Sequence, residues 1–191
     1  VDGSTEFSGY SQLADQSQVV GLFVAGDAVD QVAEDTDVAI ILNQTPFYAE
    51  SGGQVGDTGY LHTATAKIEV TDCRKAGGHH LHIGRIVSGQ LSIGDTVTAE
   101  VDASLRQATA RNHSATHLLH SALQQVLGDH VQQKGSLVDS QRLRFDFSHN
   151  SALTPEQLAR IESLVNAQVR ANSEAQTDLM SYDAALKSGA I

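Results

Sequence analysis

TVTAEVDASLRQATARNHSATHLLHSALQQVLG, residues 96–128, contains a change of hydrophobic period. Up to Val101 small and β-branched residues alternate as in a strand. From Asp102 onward Ala108, Ala115, Leu118, Leu119, Ala122, Leu123 and Val126 recur at three- and four-residue steps, which predicts a helix with one apolar stripe. Gly128 offers its stop. The chain therefore divides here, into a β-rich unit over residues 1–103 and an α/β unit over 104–191, giving an α+β fold class.

Upstream of this boundary, VVGLFV (19–24), VAIIL (38–42), KIEV (67–70) and TVTAEV (96–101) stand between turn dipeptides such as GD, GG and DG. Closely spaced short strands of this kind predict a barrel or sandwich. Downstream, GSLVDSQRLRFDFSH (135–149) reads as a hairpin in which Leu143, Phe145 and Phe147 alternate with Arg144 and Asp146. Thr154, Pro155 and Gln157 form a capping-box signature for a second helix, with Leu153 and Leu158 placed as a hydrophobic staple. Leu158, Ile161, Leu164 and Val165 are its expected buried face. A short third helix is expected from about Ser181 to near Gly189.

Twelve Lys and Arg against 23 Asp and Glu give a formal charge of −11. That balance disfavours broad nonspecific binding to nucleic acid, which needs dense phosphate contacts. It leaves room for a local contact through Lys134, Arg142 or Arg144. No apolar run reaches the length of a membrane span, so no membrane partner is expected. The single Cys73 excludes an internal disulfide framework and fits a reducing, cytoplasmic setting. The polar opening VDGSTEFSGYSQ, without an initiator Met, suggests a piece of a longer protein.

His113 and His117 lie four apart on the predicted helix, so their imidazoles share a face and can converge on one metal ion. Spacing alone leaves metal binding and an ordinary polar face both open. Zinc takes about four ligands, or three and a water, and two histidines are too few. Cys73 reads as a strand-end thiol rather than a third ligand. His79, His80 and His82 read as surface histidines around the KAGG turn, and His120 has no assigned role. QTPFYAESGGQVGDTGYL (44–61) packs four glycines into eight residues, which permits positive φ angles and close backbone approach. It has neither the lysine of a P-loop nor a G-x-G-x-x-G pattern, and by local pattern it is a pair of turns.

QTPFYAESGGQVGDTG (44–59), followed by RNHSATHLLHSALQQVLGDHVQQKGSLV (111–138) and RFDFSH (144–149), resembles the editing region of the alanyl-tRNA synthetases and is similar to their freestanding editing relatives. The likeness runs from TEFSGY (5–10) to KSGAI (187–191). It implies a β-barrel-like domain with the glycine-rich motif, beside an α/β editing core with an H-x-x-x-H helix. It implies zinc held by His113 and His117 together with a Cys-x-x-x-His pair expected beyond Ile191, so that this chain holds half a site and binds zinc weakly, with its activity alone left open. Thr116 and Gln133 would line the catalytic pocket, and Gly52, Gly53, Gln54 and Asp57 would bind substrate.

The implied reaction is hydrolysis of the aminoacyl ester of tRNA(Ala) mischarged with serine or glycine. The implied partners are the tRNA(Ala) acceptor end and the rest of a synthetase whose full-length form binds ATP. Core strands missing from the chain would leave an open edge that favours self-association. Two other readings stay open. One is a metal-dependent hydrolase of another substrate, disfavoured as a zinc protease because Ser114 stands where H-E-x-x-H needs Glu. The other is a noncatalytic tRNA-docking module.

Overall fold

The computed structural model describes residues 3–174 and 180–188. In chain order the elements are β1 (Glu6–Phe7), β2 (Ala14–Val24), β3 (Asp27–Ala28), β4 (Gln31–Ala33), β5 (Asp37–Leu42), β6 (Gln44–Thr45), β7 (Gly59–His62), β8 (Lys67–Ala76), β9 (His79–Ser88), β10 (Gln90–Ser92) and β11 (Thr96–Val101). They are followed by α1 (Ala103–Leu127), β12 (Gln133–Val138), β13 (Leu143–Phe147), α2 (Pro155–Ala171) and α3 (Tyr182–Lys187).

Six strands close into an antiparallel barrel in the order β11, β7, β8, β9, β5, β2, with β2 returning to β11. Closure leaves none of the six with an open edge along the barrel. Alternation supplies the core: Ile68 and Val70 of β8 point inward, and a register shift between Val70 and Asp72 turns Cys73 inward in place of Asp72. Phe47, Leu22, Ile40, Leu42, Leu61, Ile86 and Leu91 fill the rest. The predicted strand runs are all present, several of them longer than the apolar run that announced them.

The histidines of β9 correct the sequence reading. His82 is fully buried against Phe47, its ring edge-on at 5.2 Å, and His80 is half-buried beside Phe7. The Ile40 carbonyl can only accept, so His82 Nδ1 donates to it at 3.1 Å, and Nε2 accepts from the Thr45 hydroxyl at 2.7 Å. With both nitrogens satisfied, a polar ring becomes an admissible core residue. Cys73 is likewise a core residue, and burial pushes its thiol pKa up.

Asp102 caps α1 by accepting from the backbone N–H of Ser104 and Leu105, and Gly128, at φ 115°, closes it. The buried residues of this helix are Thr109, Thr116, Ala122 and Leu123, so the predicted apolar stripe is the buried face only in its second half. There it joins Val131, Ile161, Phe145, Phe147, Leu164 and Val165 in a second core under the β12–β13 hairpin. The Thr154–Gln157 capping box is formed as expected. Leu158, assigned to the buried face, is instead 55% exposed: it lies in the first turn of α2, outside the second core that takes Leu153 and Ile161. Ser181 caps α3, and the expected end near Gly189 lies outside the described residues. Among the described residues no helix is long and apolar enough to cross a membrane.

Candidate functional site

The glycine-rich stretch runs between β6 and β7 and touches both halves of the structure. On one side, a Cβ at Gly56 would collide with the backbone of Cys73 in β8. On the other, Gly53 sits at φ 86°, and a Cβ there would meet the Ser136 carbonyl of β12. Only glycine combines that dihedral with that approach. The result is a backbone seam: Val138 N donates to Gly53 O at 2.7 Å, Val55 N donates to Val138 O at 3.1 Å, and Gln54 bridges Val138.

Asp57 and Arg106 anchor the helix to this seam. The guanidinium Nε donates to both Asp57 carboxylate oxygens, at 2.8 and 2.9 Å, and Nη2 also meets Asp57 Oδ2. The same side chain donates to the carbonyls of Gly9 and Pro46, each at 2.9 Å. Asp57 additionally accepts from the Tyr48 backbone N–H at 2.7 Å. Both partners are largely buried, and one arginine thus joins α1 to the TEFSGY arm, the TPFY segment and the glycine-rich stretch. Sequence reasoning placed Asp57 near substrate and did not find Arg106, because the pair is 49 residues apart and neither residue is unusual locally.

Two turns along the helix from Arg106, His113 Nδ1 lies 2.7 Å from Gln54 Oε1. Its ring stacks on that of His117, with centroids 5.0 Å apart and planes 19° from parallel. Burial, and secondarily the neighbouring His117, lowers the His113 pKa and favours the neutral imidazole that can act as a ligand. His117 is exposed and opens on a cavity of about 760 Å³ between α1 and α2, with Arg111, Ser114, Gln168 and Asn172 on its walls. Thr116 is buried one helical turn on from His113, its hydroxyl donating to the Asn112 carbonyl at 2.9 Å. Asn112 in turn donates to the Asp139 carbonyl at 2.8 Å, which ties the helix to the end of the hairpin.

The predicted site residues therefore divide. Gly53, Gln54, Asp57 and His113 lie along one seam, with His117 stacked behind His113 and Thr116 on the adjoining helical turn. Gly52, at φ 60°, shapes the turn and touches nothing that a side chain would displace. Gln133 is exposed at the start of β12, roughly 16 Å along the strand from Val138, where the seam lies. Cys73 is in the barrel core. Among the described residues no three or more His, Cys, Asp and Glu side chains cluster as a metal site, so the histidine pair offers two nitrogens and no third donor. His120, unassigned by sequence, packs on Phe145 at 5.1 Å, and its buried Nε2 has no hydrogen-bond partner among the described residues.

The model of a family described as tRNA synthetases class II (A) matches residues 1–105. Alanine–tRNA ligases from Saccharophagus degradans, Pseudomonas entomophila and Pseudomonas fluorescens are 53%, 54% and 53% identical over all 191 residues. The chain spans 22% of the length of these relatives.

Proposed function

The chain belongs to the class II (A) tRNA synthetases, within their alanine–tRNA ligase branch, and from that membership we propose that it is an editing region, hydrolysing the aminoacyl ester of tRNA(Ala) mischarged with serine or glycine. The observation that carries the reading is the stacked His113–His117 pair, held at the seam between the glycine-rich stretch and the helix. Two imidazoles on one helical face suit zinc, which accepts nitrogen donors and needs two further ligands, or one and a water, that are not among the described residues. The fit is that of a half-site. When bound there, zinc would supply a Lewis acid that polarises or anchors the ester.

The chain's own residues have separable tasks in this reading. His113 and His117 bind the ion. The glycine-rich backbone gives a small-walled approach on which the terminal adenosine and its ester can lie close, with Gly52, Gly53 and Gln54 as the contact surface. Asp57 keeps that surface in register through Arg106. Thr116 donates its hydroxyl proton to Asn112 and so keeps lone pairs free to accept from a serine hydroxyl, which alanine lacks. A polar group left unpaired by the wrong substrate discriminates better than a missing methylene. Gln133, exposed at the start of β12, would line the pocket, and the partner is the tRNA(Ala) acceptor end.

The deciding experiment measures serine release from seryl-tRNA(Ala) by the full-length parent and by its His113→Ala/His117→Ala variant. Loss of at least 100-fold in the variant, with alanylation intact, is expected. An unchanged rate would leave the region as a noncatalytic docking module, a reading that the lack of a third metal donor among the described residues favours for the chain taken alone. In the same assay Thr116→Val should narrow the preference for seryl- over alanyl-tRNA(Ala) by on the order of tenfold or more. An unchanged ratio would remove Thr116 from that role.

A further inference from the structure

We propose that Gln54 is the positioning residue of the histidine pair: it fixes His113 in the tautomer whose Nε2 is bare, and so makes the ligand-bearing helix depend on the barrel's glycine-rich stretch. The inference rests on the metal half-site proposed above for the use made of Nε2, but its geometry stands independently.

Gln54 Oε1, 2.7 Å from His113 Nδ1, is a carbonyl oxygen and can only accept. Nδ1 must therefore carry the proton, and in a neutral imidazole the lone pair then belongs to Nε2. A histidine that ligates a metal characteristically directs its second N–H to a carbonyl or carboxylate in this way, which sets the tautomer and the ring plane together. Gln54 is itself firmly held. It is 8% exposed, its N–H donates to Ser51 O at 3.0 Å, and its carbonyl accepts from Ser51 N at 3.2 Å. On its other side the bonds from Val138 to Gly53 and from Val55 to Val138 clamp the backbone on both flanks. His117 makes no side-chain hydrogen bond among the described residues, and its ring is stacked on that of His113. One amide carbonyl thus sets the orientation of His113 directly and of His117 through the stack.

The test uses the chain as it is, above pH 7, where His113 is neutral. Long-range proton–nitrogen NMR correlations report the tautomer of His113, and titration with Ni²⁺ alone reports the nitrogen donors. Three chains are compared: unmodified, Gln54→Glu, which keeps an acceptor of the same reach, and Gln54→Met, which keeps the volume and removes it. The expected result is an Nδ1–H tautomer in the first two, mixed tautomers in the third, and Ni²⁺ binding about 10- to 100-fold weaker in the third alone. A merely structural role would show as a common loss of melting temperature in both variants without the rescue by Glu. An Nε2–H tautomer in the unmodified chain, or a tautomer and affinity untouched by Gln54→Met, overturns the proposal. If the tautomer follows Gln54 but no chain binds Ni²⁺, the positioning stands and it is the metal reading that fails.

Discussion

His82 shows what a single side chain contributes when its neighbours satisfy it. Its burial is complete, and desolvation drives its pKa down from 6.5 to about 4, outweighing the Ile40 hydrogen bond. A folded pKa below the unfolded one means that the unfolded chain binds more protons between those values. The stability held by neutral His82 is therefore full above pH 6.5, falls as pH drops through the interval, and is gone near pH 4. The shift corresponds to about 3 kcal/mol. Urea unfolding of the chain and of His82→Leu at pH 7 and pH 4 should show that much extra acid destabilisation in the unmodified chain. Equal pH dependence would mean that His82 is solvated in the folded state. By sequence the ring reads as a surface residue because HHLH follows directly on the KAGG turn. Only the pairing of Cys73 with His82 across two strands reveals that the position faces the core.

At the level of elements, what was legible was local. The capping box of α2, the stop of α1 and the alternating Phe145 and Phe147 need only a few neighbouring residues, and each stands where its pattern put it. Long-range pairs were not legible, and they assemble the site: Gln54 with His113, 59 residues apart, and Asp57 with Arg106. The first half of the α1 stripe failed for the same reason. The surface that α1 meets there is a polar backbone seam, so Thr109 and Thr116 are buried where Ala108 and Ala115 were expected. The Asp57–Arg106 pair carries a quantitative expectation. Removing one member strands the other, and with the Arg106 side chain still 16% accessible, Asp57→Leu should cost about 3 kcal/mol. Replacing both, as Asp57→Leu/Arg106→Met, leaves neither charge unpaired. Thermal unfolding of the four chains of this cycle should therefore show the double variant losing less than the sum of the two singles. Simple additivity would show that the pair is screened and that the Gly9 and Pro46 carbonyls hold Arg106 alone.

On the scale of the whole molecule, two cores of unequal depth are joined by that seam. The barrel encloses Phe47, Ile40, Leu42, Ile68 and Ile86 completely. The second core has only Ala122, Leu123, Val131 and Ile161 as its buried centre, and Ile161 is the one buried residue of α2 among those described. Local opening free energies follow buried apolar contact, so the two halves should not exchange amide hydrogens alike. The amides of β5, β8 and β9 should be the slowest, and those of α2 faster by at least 100-fold. Because α1 is held at Arg106 and His113 as well as under the hairpin, its first half should exchange with the barrel and its second half with α2. The boundary would fall near Thr116, between the histidine pair and the second core. Such a gradient would leave His113 on rigid ground while the wall of the cavity beside His117 opens independently. Uniform protection across α1 and α2 would instead make the molecule one cooperative unit. Access to His117 would then have to come through the existing cavity, without movement of α2.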